Sequence, residues 1–225
     1  MRLFDALGLS AGDVVALVGG GGKTSLGHAL VREAWAGGLR AVFTVTTKIF
    51  PPDLPPDQWA AGPALPDGKL SGFSFDAVAD LRVRYDLVVV EADGSAGRPL
   101  KFPLAHEPVI PPCTTVVLAM AGASVIGRPL AKEWVHRHEA AAAFAGRGGP
   151  VTPTLVARIL WHAASPGRPA GARVVPVINQ ADNPERLAVA RAVGQALLRE
   201  GAPLVLLTAA HAKPPVVQRL VAGGI

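Results

Sequence analysis

The chain is short of cysteine, of long apolar runs and of clustered charge, and each shortage removes a class of protein. A single cysteine, Cys113, in 225 residues leaves no intramolecular disulfide to form, which fits a cytoplasmic setting and a thiol packed in the core. The longest apolar stretch, Val116 to Ile126, is interrupted by Gly and Ser and falls well short of the roughly 20 residues a membrane-spanning helix needs. The first ten residues, MRLFDALGLS, lack the apolar core and small-residue cleavage site of a secretory signal. Net charge is +5, mostly from arginine, yet the arginines are scattered, with no basic run and no aromatic RNA-binding signature. Nucleic acid and membrane are therefore not the expected partners, and phosphate-bearing small molecules or an acidic partner suit this charge better. Hydrophobic residues make up 50% of the chain, enough for a folded core. No repeat and no second clear domain boundary is visible, so residues 1–225 read as one domain.

What is present is organised around Asp13 to Ser25, DVVALVGGGGKTS. Val14 to Val18 has the β-branched, apolar character of a buried strand. Gly19, Gly20, Gly21 and Gly22 follow, then Lys23, Thr24 and Ser25, then a helical pattern in Leu26, Ala29, Leu30 and Ala34 that ends at Gly37-Gly38. Strand, glycine loop, Lys-Thr and helix is the context of a phosphate-binding loop. Glycines let backbone N–H groups converge on phosphate oxygens, the helix N-terminus adds partial positive charge, and a Thr hydroxyl suits Mg²⁺. The common motif places its first Gly five residues before the Gly-Lys pair, where Leu17 stands here. The shorter Gly19-x-x-Gly22-Lys23-Thr24 loop resembles that of Mur-type ligases. The plainer alternative, a glycine-rich turn with an incidental Lys, does not account for the strand and helix on either side.

Further along, Leu39 to Val45 reads as a strand followed by Thr46, Thr47 and Lys48, at the sheet edge where ligands bind in open α/β folds. These residues could supply hydroxyls to Mg²⁺ and a cation to phosphate, or be a plain polar strand end. A Pro-rich excursion spans about 50–67, and Gly68 to Asp80 suggests an edge strand and a short helix. Tyr85 to Val90 is a nearly continuous apolar strand ending in Glu91, an acid placed to reach a nucleotide's Mg²⁺. Glu91-Ala92-Asp93-Gly94 has the form of an acid-x-x-Gly switch, in which Asp93 orients water or senses a γ-phosphate. Arg98, Lys101, His106 and Glu107 crowd the polar stretch that follows. Thr114 to Met120 is the next strand. A helical insertion is expected at about 128–165, with one helix over Ala131 to Gly146 carrying His136 and Arg137, and another over Thr152 to Ala164. His136-x-His138 with Glu139 has metal-binding residue types, but residues two apart on a helix face different ways. Arg173 to Ile178 is a strand leading into Asn179-Gln180-Ala181-Asp182, the place of the Asn-Lys-x-Asp that reads guanine in GTPases; an Asn/Asp turn capping the next helix is the alternative. Leu187 to Arg199 reads as helix, Pro203 to Leu207 as strand, and 214–222 as a closing helix.

VGGGGKTS, TVTTK, EADGSAGRPLK, HEPVIP, the Gly127-Arg128-Pro129-Leu130 and VHRHE segments, and INQAD occur in the order of one family. The chain resembles the YqeC family of selenium-dependent hydroxylase accessory proteins from about Val14 to Asp182, and the 91–111 block is the most specific part. The resemblance implies a role in maturing a selenium-dependent molybdenum hydroxylase, with that enzyme or its cofactor-loading machinery as partner. Gln180 departs from the usual Lys and leaves the base open between ATP and GTP.

The expectation is a doubly wound α/β fold with a mainly parallel sheet, helices on both faces, and the organisation of a P-loop NTPase. Gly19 to Ser25, Asn179 and Asp182 would bind the nucleotide. Lys23, Asp93 and Lys48 would act in phosphoryl transfer, and Thr24, Glu91, Thr46 and Thr47 would hold Mg²⁺. Arg98, Lys101, His106, Glu107, His136 and Arg137 would face an acceptor or partner. The rivals are a nucleotide-dependent ligase or kinase for an anionic small molecule, and a nucleotide-sensing scaffold without turnover.

Overall fold

A computed structural model describes residues 1–146 and 148–223. In chain order its elements are α1 (Leu3–Leu7), β1 (Asp13–Gly19), α2 (Lys23–Ala36), β2 (Ala41–Val45), α3 (Phe75–Arg84), β3 (Leu87–Glu91), β4 (Leu100–Lys101), β5 (Val116–Gly122), β6 (Val135–His136), α4 (His138–Ala145), α5 (Pro153–Ala164), β7 (Arg173–Asn179), α6 (Pro184–Arg199), β8 (Leu204–Thr208) and β9 (Val216–Val221). The apolar runs become the central strands because they are covered on both sides: Val14 to Val18 of β1 and Val116 to Ala121 of β5 are buried throughout, as parallel sheets require.

Seven strands form one sheet in the order β2-β3-β1-β5-β7-β8-β9, and β4 pairs with β6 in a separate two-stranded ribbon. All neighbours in the large sheet run parallel except β9, which is antiparallel to β8. Alternate residues of β1 point to opposite layers. Val15 and Leu17 pack with Leu26, Leu30 and Val31 of α2 and with Leu3 and Leu7 of α1. Ala16 and Val18 pack with Val156 and Leu160 of α5 and with Val193 and Leu197 of α6. Val14 joins Val42 and Val88 beneath Val78 and Leu81 of α3. This is the expected doubly wound α/β arrangement. The helix starts are written locally: Thr152 accepts from the Leu155 amide and Asn183 from that of Arg186, each with a proline in the first turn.

Three local expectations are corrected. Residues 131–137 are not helical: β6 pairs with β4, Arg137 takes a left-handed φ of 65°, and α4 begins only at His138. His136 and His138 therefore sit on different elements. Residues 214–222 hold no helix; Val216–Val221 form β9 instead, because the β-branched run Val216-Val217 and Val221 covers the otherwise open edge of β8. Between Gly68 and Asp80 there is a helix but no edge strand; Leu70 makes isolated bridges to Ile49 and Ala64. No helix among the described residues is long and apolar enough to cross a membrane.

The register brings chemistry to one edge. Glu91 lies opposite Leu17, Gly19 opposite Met120, and Gly122 opposite Asn179, all at the carboxyl ends of parallel strands.

Candidate functional site

Between β1 and α2 the chain turns on three glycines whose packing comes from distant segments. Gly20 N donates to Met120 O (2.9 Å) and Gly21 N to Arg98 O (3.1 Å). Gly21 has φ of 79°, and a Cβ there would overlap the Gly122 amide; only glycine fits. The amides of Gly22, Lys23, Thr24 and Ser25 donate to no acceptor among the described residues, and the helix lacks a side-chain cap. A first helical turn has no acceptors of its own. These residues line a cavity of about 1060 Å³, so the unpaired N–H groups and the helix dipole give it a wall of the chemistry that suits an anion.

Beneath the loop runs a chain of alternating charge. Lys23 Nζ donates to Gly19 O (2.7 Å) and lies 3.2 Å from Asp93 and 3.7 Å from Glu91. Thr24 Oγ donates to Glu91 Oε2 (2.6 Å). Asp93 Oδ2 accepts from Gly19 N (3.0 Å) and lies 3.4 Å from Lys101 Nζ. Lys101 is fully buried (0% exposed) and its ammonium is 2.9 Å from Glu107, whose other oxygen is 3.9 Å from Arg137. Burial raises the pKa of Glu91, opposed by Lys23 and the Thr24 hydroxyl. Burial also acts on Glu107, but Lys101, the Leu104 amide and Arg137 together outweigh it and lower its pKa. His136 is shifted down by burial first, then by Arg137 and Lys101, which favours its neutral form.

At the opposite end Asn179 is a buried joint. Its Nδ2 donates to Gly21 O (2.8 Å), while its Oδ1 accepts from Thr208 Oγ (3.0 Å) and Ala210 N (3.1 Å). Gln180, at φ 66°, turns back so that its Oε1 accepts from Ser124 Oγ (2.6 Å). Asp182 accepts twice from Arg186 Nη1 (3.0 and 3.1 Å).

The cavity brings together Gly21, Gly22, Lys23, Thr24, Ser25, Thr47, Lys48, Glu91, Glu107, His136, Asn179 and Asp182. Gln180 and Gly94, also marked in the sequence, line it as well, and the remaining predicted site residues do not. Gly19 and Gly20 are packed behind the loop. Asp93 is 1% exposed and locked below Lys23. The Thr46 hydroxyl donates to Val109 O (2.8 Å), and Arg98 Nε to Lys132 O (2.7 Å). Lys101 is sealed, His106 is exposed on the surface, and Arg137 is spent on Glu107. Ser124, Arg186 and His211 also line the cavity, and sequence reasoning passed them over; the available signal was their place just after the ends of β5, β7 and β8. No group of three or more His, Cys, Asp or Glu able to hold a metal is found among the described residues.

A family model described as YqeC protein matches residues 15–139. The uncharacterized protein YqeC of Escherichia coli K12 is 36% identical over 149 residues, covering 55% of this chain and 57% of that protein. The chain thus spans little more than half the length of this curated relative. No solved structure matches. The matched region runs from β1 to the start of α4, taking in the glycine loop, Glu91, both buried lysines, Glu107 and His136. With more than half of its length matched in this way, the chain belongs to the YqeC family.

Proposed function

We propose that this protein binds a nucleoside triphosphate with Mg²⁺ in the cavity at the carboxyl edge of the sheet and hydrolyses it slowly. The observation that carries this reading is the set of unpaired amides at Gly22 to Ser25, beside the Lys23 ammonium and the Thr24–Glu91 pair, on one wall of a cavity large enough for a nucleotide. The donor set fits: Thr24 and Glu91 are oxygen ligands of the kind Mg²⁺ takes, one carboxylate and a hydroxyl alongside phosphate oxygens. Bound there, Mg²⁺ would neutralise charge on the phosphates. Loop amides would hold the phosphates and Lys23 would leave Asp93 to face the β/γ bridge. Asn179, tied to both Gly21 and Ala210, would keep the phosphate end and the base end at a fixed distance. Lys48 and Thr47 line the same cavity and remain within the proposal; Asp93 enters it as the counter-ion of Lys23.

The wider role implied by the family resemblance, assisting maturation of a selenium-dependent molybdenum hydroxylase, belongs to the same proposal, with that enzyme or its loading machinery as partner. Titration calorimetry of the full chain with Mg-ATP, Mg-GTP and Mg-CTP tests the core of it. At least one should bind, and Lys23→Ala should weaken it by at least about tenfold, in line with loss of a charge-assisted contact. Unchanged affinity in Lys23→Ala would refute the assignment.

A further inference from the structure

Three carboxylates gather at the phosphate end, and they are not equivalent. Glu91 is engaged by Thr24 and Lys23, and Asp93 is sealed between Lys23, Lys101 and the Gly19 amide. Glu107 lines the cavity itself, together with His136 and the small residues Gly94 to Gly97. It arrives there because the chain after Gly94 doubles back behind the glycine loop, where Arg98 and Pro99 accept from Gly21 and Gly122, and returns through Lys101.

The four cations that would suit an anionic acceptor are all absent from this wall. Arg98 donates to Lys132 O, Lys101 is buried under Glu107, Arg137 pairs with Glu107, and His106 lies outside the cavity. The cavity's basic residues stand on other segments: Lys23 at the start of α2, Lys48 and Lys69 after β2 and before α3, Arg186 in α6 and His211 after β8. The wall beside the loop therefore presents a carboxylate, an imidazole and nearly bare backbone.

We propose that Glu107 is the proton acceptor of this site, and that the wall it forms with His136 and Gly94 to Gly97 receives a neutral hydroxyl nucleophile and rejects an anionic one. This rests on the nucleotide reading above. The nucleophile's oxygen bonds to the γ-phosphorus, its proton passes to the Glu107 carboxylate, and the γ-phosphorus–bridging oxygen bond breaks with its electron pair leaving on the nucleoside diphosphate. Water yields inorganic phosphate; an alcohol yields its phosphate monoester. Lys101 and Arg137 keep Glu107 ionised between turnovers, and no charged group of the wall other than Glu107 faces the nucleophile.

The test uses the full chain, Mg²⁺ and the tightest-binding triphosphate, with buffer alone, with glycerol or with glycerate, and counts products by ³¹P NMR. Nucleotide affinity is measured separately by calorimetry. The parent should release phosphate, and glycerol should divert part of it into glycerol phosphate while glycerate at equal concentration does not. Phosphate without any ester would assign water as the nucleophile and still support the role of Glu107. Glu107→Gln should bind nucleotide within about threefold of the parent and turn over at least about 100-fold more slowly, the usual loss for a general base. If Glu107→Gln does not fold, Glu107→Asp keeps the charge beside Lys101 and should still lose about tenfold or more. Full turnover in the variant that folds, phosphoglycerate formed as readily as glycerol phosphate, or a parent that binds nucleotide and releases no phosphate in any arm would each overturn the proposal. A parent that binds no nucleotide would instead remove the reading beneath it.

Discussion

Replacing Lys101 by methionine tests the buried charge chain most directly. The side chain is 0% exposed and its ammonium touches Asp93 and Glu107 at 3.4 and 2.9 Å. Methionine keeps most of the volume and removes the charge, so packing changes little and the electrostatic loss dominates. Removing one partner of a buried ion pair costs about 3–5 kcal/mol, because the other charge stays buried and uncompensated. Both carboxylates keep a second cation here, Lys23 at 3.2 Å for Asp93 and Arg137 at 3.9 Å for Glu107, which places the cost near the low end, about 3 kcal/mol. In a chain of this size each kcal/mol lowers Tm by about 2–4 °C, so Lys101→Met should melt about 6–12 °C below the parent. Thermal unfolding followed by circular dichroism reads this directly. The loss should persist in high salt, since buried pairs are poorly screened. Adding Glu107→Gln to Lys101→Met should cost less than the two single changes together, with a coupling of at least about 1 kcal/mol. A Tm within about 2 °C of the parent, or strictly additive changes, would refute the account.

Asn179→Ala removes the hydrogen bonds to Gly21, Thr208 and Ala210 at a buried position, and should lower stability by about 2–4 kcal/mol in urea unfolding; a change below about 0.5 kcal/mol would contradict the joint described for it. His28 has its pKa pushed from 6.5 down to about 4, by burial first and Arg32 second. The unfolded chain therefore binds a proton that the folded chain refuses, so the contribution is full above pH 6.5 and is lost as pH falls toward 4. Subtracting the Tm-versus-pH curve of His28→Leu from that of the parent should leave a decline confined to that window, and parallel curves would exclude it.

Much of this layout is legible in the sequence, for a definite reason. A strand, a run of glycines and a helix that starts at Lys23 are local features, and so are the Thr152 and Asn183 caps. The apolar strands carry their burial in their composition. What sequence does not carry is the path of the chain between elements. Asp93 and Glu107 look equally available as text; the doubling-back of residues 94–107 seals one and delivers the other to the cavity. Lys101 reads as a surface cation because its two carboxylate partners are remote in pattern, if not in space. The stretch before α4 has helical composition, yet His136 is drawn into a bridge with Lys101 by backbone pairing. The β9 segment is decided by the unfilled edge of β8, which only the assembled sheet presents.

The hydrogen bonds of the glycine loop bear on modularity. A strand-loop-helix motif is commonly pictured as a cassette that moves between proteins with its function intact. Here residues 13–36 borrow their shape from elsewhere: acceptors from Arg98 and Met120, room from Gly122, and a side chain from Asn179. Cut out and grafted onto another parallel sheet, the loop would keep its sequence and lose its conformation. Anyone transplanting it, or diversifying it by directed evolution, must carry those four distant positions along as part of the same heritable unit.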